Sequence, residues 1–150
     1  MLQQIAKTEF YLLSVDVRKK RIYNTVFGMW GEHPEVSRFI QDWDNVLKYI
    51  SKGYTMLTDA TQFRLLSAEW ATTTIRTRKR LVEAGITKIA EVLPENAFIK
   101  MQFGAISERT GIQTKIFSNK IDAEAWLDSR EERVGDKLNG QSLKSAASPK

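Results

Sequence analysis

The chain changes its hydrophobic period repeatedly, and that alternation is what most limits its fold. Two runs rich in aromatic and β-branched residues come first, "TEFYLLSVDV" (8–17) and "RIYNTVFGMW" (21–30). Such residues suit a pleated, half-buried surface. The basic "RKK" between them predicts an antiparallel hairpin of strands 8–17 and 22–30. Tyr11, Leu13, Val15 and Val17 share one face of the first strand, and Tyr23, Thr25, Phe27 and Met29 one face of the second. The stretch "GEHPEVSRFIQDWDNVLKYISKG" (31–53) then switches period. Val36, Phe39, Ile40, Trp43, Val46, Leu47 and Ile50 recur at steps of three and four, which is one face of a helix. Pro34 fits its first turn, where the missing N–H costs nothing, and Gly53 is its expected stop.

The alternation continues to the end. "YTMLTDA" (54–60) reads as a third strand, followed by a helix over 67–84 with Ala68, Ala71, Ile75 and Val82 turned inward and Gly85 closing it. "ITKIAEVL" (86–93) is the fourth strand and "QTKIFS" (113–118) the fifth. Between them "ENAFIKMQFGAISERTG" (95–111) reads as a helix loosened near Gly104. A last helix over 120–133 is anchored by Ala123, Trp126 and Leu127. The order β-β-α-β-α-β-α-β-α implies a single α/β domain over 1–131. Its five-stranded sheet is mixed but mostly parallel, opens with the hairpin, and carries four helices joined by right-handed crossovers. Residues 132–150 hold few large apolar side chains and read as a disordered tail.

Composition narrows the chemistry. With no cysteine there is no disulfide, thiolate zinc site or thiol nucleophile. The single histidine, His33, stands beside Pro34 as a turn residue, and no metal or cofactor is expected. No apolar run approaches the roughly 20 residues a membrane span needs. "MLQQIAKTEF" lacks the zones of a secretory signal, so a cytoplasmic setting is expected. The net charge of +5 is modest for a nucleic-acid binder, and no nucleic-acid motif accompanies it.

Three segments carry a resemblance: "YTMLTDATQF" (54–63), "LVEAGITKIAEVLPENAF" (81–98) and "QTKIFSNKIDAEAWL" (113–127). Over residues 8–128 the chain resembles the SpoIIAA-like, or STAS, families, and within them the STAS/SEC14-type bacterial proteins of unassigned function. The resemblance implies a regulatory fold that works by binding other proteins. In the anti-sigma-factor antagonists of that superfamily, a serine in an Asp-Ser-Ser-Gly pattern at this helix start is phosphorylated. Ser67 matches the serine, while Leu66 and Glu69 replace the aspartate and the glycine.

Ser67 therefore has two readings, a helix cap or a phospho-acceptor. Asp59 and Thr61 lie where ligands gather in open α/β sheets, yet they also suit a turn that satisfies loop amides. Glu91 in the next strand would complete a carboxylate pair with Asp59 if the two met. Arg76, Lys79 and Arg80 on the second helix, with Lys19 and Lys20 in the hairpin turn, form a candidate basic surface. No nucleophile–base or metal constellation is legible, so a non-enzymatic interaction module is expected. Ser14, Asp16, Asn24 and Thr58 interrupt strand faces, which suits a half-covered sheet and a homodimer. The alternative is a small-ligand or lipid carrier of SEC14 type, with Phe98, Met101, Phe103 and Ile106 lining an apolar pocket.

Overall fold

The computed structural model describes residues 2–30 and 36–129. His33, Pro34 and the tail expected at 132–150 lie outside them. The observed sheet has six strands, one more than expected. They are β1 (Leu2–Lys7), β2 (Tyr11–Asp16), β3 (Arg21–Trp30), β4 (Thr55–Leu66), β5 (Lys88–Val92) and β6 (Gln113–Phe117). Their spatial order equals their chain order. β1, β2 and β3 pair antiparallel, and β3 through β6 pair parallel.

The extra strand takes its place because residues 8–10 turn. Thr8 Oγ1 accepts the amides of Phe10 and Tyr11, each at 3.0 Å, which ends the strand that alternation alone extends back to residue 8. β1 buries only Ala6 fully, so its sequence carries little apolar signal. At the next turn Asp16 Oδ1 accepts the amides of Arg18 and Lys19. β2 stops there, and Val17 is exposed rather than sharing the buried face of Tyr11, Leu13 and Val15.

The crossovers are α1 (Val36–Leu47), α2 (Ala68–Ala84), α3 (Ala97–Thr110) and α4 (Lys120–Asp128). α1 buries Phe39, Trp43 and Val46, as its stripe requires. It ends six residues before Gly53 and unwinds through tighter bonds such as Tyr49 N to Val46 O at 2.9 Å. Gly53, at φ 99, instead turns the chain into β4. Gly85, at φ 124, ends α2 where an added Cβ would stand 2.5 Å from the Lys52 backbone. α3 runs unbroken through Gly104.

The sheet separates two cores. Ile22, Met56 and Ile89 face a large core closed by α1, α2 and α3, with Phe39 at its centre. Phe39 meets Tyr11, Trp43 and Trp70 edge to face at 5.1–6.2 Å. Leu57, Ala90 and Val92 point the other way, against Ala123 and Leu127 of α4. Among the described residues α4 is the only helix on that face.

Candidate interaction site

The strand-to-helix junction is not the compact loop that the sequence suggests. β4 runs on to Leu66, and Phe27–Trp30 of β3 follows it past the end of β5. The register shifts where Ala60 and Thr61 face Val26 alone, a bulge. Asp59 serves that bulge: its Oδ1 accepts the Thr61 amide at 3.0 Å and the Thr61 hydroxyl at 2.7 Å. Its other oxygen lies 3.8 Å from Lys120 Nζ. Extended chain then carries Ser67 roughly 20–25 Å from Asp59. The two residues do not form one site.

Ser67 stands at the helix start with extended backbone, and its Oγ accepts the Trp70 amide at 3.3 Å. Glu69 follows in the first turn, where a negative charge suits the positive helix end.

Glu91 does not meet Asp59 either. In the parallel register Thr58 pairs with Glu91 and Asp59 with Val92, so the two carboxylates project from opposite faces of the sheet. Glu91 is fully buried, with Oε2 2.7 Å from Nη1 of the equally buried Arg78. Burial pushes its carboxyl up, against the pull of the Arg78 charge. This pair shifts the expected inward face of α2, of which Ala71 and Ile75 still pack against the core. The buried residues are Trp70, Thr73, Thr77, Arg78 and Leu81. Ala68 and Val82 are exposed, while Ala71 and Ile75 are half-covered. Glu91 draws Arg78 inward, and the polar stripe beside it follows.

The basic surface also divides. Arg80 pairs with Asp44 at 2.6 Å and Lys19 with Glu124 at 3.2 Å, while Lys20 donates to the Lys52 carbonyl at 3.0 Å. Arg76 and Lys79 stay exposed and border a groove of about 490 Å³ with Arg109 of α3. Sequence reasoning missed Arg109, because only the fold brings α3 beside α2. The polar strand positions divide too: Asn24 and Thr58 line an internal cavity, Asp16 caps the β2–β3 turn, and Ser14 is buried on the α4 side of the sheet.

That cavity, about 40 Å³, lies between the sheet and the three helices and is lined by Trp43, Thr58, Thr77, Arg78 and Phe103 among others. It has room for about two or three waters. Phe103 and Ile106 reach it, but Phe98 and Met101 point outward, 49% and 62% exposed. The four residues expected to line one apolar pocket thus divide between core and surface. Among the described residues no cluster of three or more metal-ligating side chains occurs, and no helix is long and apolar enough to cross a membrane.

A six-stranded mixed sheet with three helices on one face and one on the other has counterparts among solved structures. A Shewanella loihica protein of the DUF3478 family, itself described as SpoIIAA-like, superposes with a TM-score of 0.58. It shares 15% identity, and the match covers 85% of this chain and 92% of that one. The fold is SpoIIAA-like. A chain from the complex of the diguanylate cyclase SiaD with its activator SiaC, from Pseudomonas aeruginosa, matches with a TM-score of 0.53. Identity there is 15%, covering 75% of this chain and 96% of that one. SiaC of Pseudomonas aeruginosa matches at 0.52 and 12% identity, over 78% of this chain and 99% of its own. No protein-family model matches the chain, and no curated protein matches its sequence. At these identities the SpoIIAA-like likeness establishes architecture. Activity has to be argued from the surface.

Proposed function

We propose that this SpoIIAA-like protein is a non-enzymatic, cytoplasmic regulatory module that acts by binding another protein. The observation that carries the reading is the outer face of α3, where Phe98 and Met101 stand 49% and 62% exposed one helical turn apart. Large apolar side chains grouped on a surface mark interaction sites. The carboxylates that suggest chemistry are occupied in ways that support the same reading: Glu91 by Arg78, Asp59 by Thr61 and Lys120. Among the structural neighbours, SiaC is the activator of a diguanylate cyclase with which it forms a complex. In this chain Ser67 serves as the cap of α2. A lipid-carrier role has little support, since a 40 Å³ cavity is far smaller than a lipid.

The test is quantitative affinity purification from the source cells with wild type beside a Phe98→Ser/Met101→Ser variant. Both side chains are exposed, so the melting temperature should hold. The expected result is a discrete partner retained by wild type and depleted about tenfold by the variant. An identical protein profile for the two would defeat the proposal.

A further inference from the structure

α2 carries a second apolar stripe at the margin of its core, where Ala71 and Ile75 pack against that core but stay half-exposed and Ala68 is exposed. Ala68, Ala71 and Ile75 fall on one side of the helix, roughly 130° from the buried stripe centred on Trp70, Thr77 and Leu81. They form the floor of the groove between α2 and α3, with Thr72 beside them. Its rim is cationic: Arg76, Lys79 and Arg109 line it, and among the described residues no carboxylate does and none pairs with the three in a salt bridge. Glu69 and Glu108 are neighbours in sequence but not part of the lining.

We infer that this groove docks a short amphipathic helix of a partner protein, with its apolar face on the alanine–isoleucine floor and its acidic residues on the three cations. The inference rests on the interaction-module reading above and names the chemistry of the partner. The lining comes from α2 and from Arg109 of α3, and among the described residues it offers no open strand edge, so a strand has nothing to pair with. Alanines let a third helix approach to ordinary packing distance. A bare phosphate backbone would leave the apolar floor unused, and among the described residues no aromatic lines the groove to stack a base. A second copy of this chain is disfavoured by the net charge of +5. Acidic side chains opposite unpaired rim cations speed association and exclude wrong partners.

The experiment is a display selection of random peptides about four helical turns long against the full chain. An Arg76→Glu/Lys79→Glu variant serves for counter-selection, and its fold is checked by circular dichroism. Arg76→Gln/Lys79→Gln replaces it if the reversal fails to fold. The expected winners carry Asp or Glu flanking apolar residues at steps of three and four, and bind the variant about tenfold more weakly or worse. Arg109→Glu should weaken them as well, and a Lys115→Glu control should not. Winners without acidic enrichment, or winners that bind wild type and variant alike, overturn the inference. So does an oligothymidine strand that binds more tightly than the best peptide, or self-association in light scattering that the reversals abolish. A cellular partner retained equally by wild type and by Arg76→Glu/Lys79→Glu also refutes the groove, yet leaves the interaction-module reading standing.

Discussion

The two faces of the sheet are held by different physics. On one, α1, α2 and α3 bury a broad aromatic and aliphatic core, and the one ion pair within it among the described residues, Arg78–Glu91, is almost fully buried. On the other, α4 covers a small cluster and is clasped by polar bonds at its margin. Arg21 reaches Glu124 at 3.1 Å and Asp128 at 2.8 Å, and the Tyr23 hydroxyl donates to Glu124 at 2.8 Å. Lys88 Nζ donates to the carbonyls of Trp126 and Ser129 at the helix end. Hydrophobic burial does not rest on charge attraction, whereas pairs whose carboxylates reach solvent, as Glu124 and Asp128 do, are partly screened by salt. The three-helix face should therefore behave as the rigid platform, and the α4 face as the one that loosens with ionic conditions.

The largest effect should come from breaking the buried pair. Glu91→Leu strands a buried guanidinium and should cost about 3–5 kcal/mol. Arg78→Met combined with Glu91→Leu should recover most of that loss, because no buried charge remains. Urea unfolding of the two variants beside wild type measures both. If the single and double variants were equally destabilised, the pair would not be the organising element of that face.

Arg21→Met is the counterpart on the α4 face. It removes partners from Glu124, Asp128 and Thr55 Oγ1 at once and should cost about 1–3 kcal/mol. The difference from wild type should shrink in molar salt, while the Glu91→Leu difference should not.

Acid sharpens the contrast further. Partial burial pushes the Glu124 carboxyl up, but the Tyr23 hydroxyl, Lys19 and Arg21 together outweigh it and hold the carboxyl below its usual 4.5. Its contribution is complete above 4.5 and is lost as pH falls through the lower folded value. Glu91 has the opposite sign: burial raises its carboxyl, so it does not share the acid loss of Glu124. Amide exchange in α4 should thus rise in acid before exchange in α2. At the alkaline end, burial and Glu124 push Tyr23 up to about 12 from 10.0, so its stabilising effect fades as pH rises through that upper value. Tyr23→Phe should remove a late-ionising phenol from an absorbance titration.

Smaller changes probe the platform's ends. Ser67→Ala should cost about 0.5–2 kcal/mol through loss of the Trp70 amide's acceptor, and Ser67→Asp should be close to neutral. Gly104→Ala, in an unbroken helix with nothing within 4 Å of the added Cβ, should stabilise by about 0.5–1 kcal/mol. Thermal melts resolve both.

The parts legible in the sequence were those whose signal is local. α1 announces itself through Phe39, Trp43 and Val46, and β5 and β6 through short runs bounded by Pro94, Gly111 and Asn119. The rest depends on partners far away in the chain. "LQQIAK" becomes a strand only because β2 offers it an edge, and β4 outlasts its alternation because bulges reset the period near Ala60 and Arg64. Most of all, α2 presents two stripes. Hydrophobicity favours the alanine–isoleucine side as the buried one, yet a carboxylate in β5 turns the threonine–arginine side inward and leaves Ala71 and Ile75 only half-covered at the core's margin. The candidate groove is illegible for the same reason, since its floor is the margin of that shifted face.

Hydrogen–deuterium exchange of the protein with and without its affinity-purified partner decides which face of the sheet does the binding. Exchange should slow across α2 and α3, around Arg76, Lys79 and Met101, with α4 and β1 unchanged. Protection confined to α4 or β1 would contradict binding at the three-helix face, because the working surface would then lie on the opposite face or edge of the sheet.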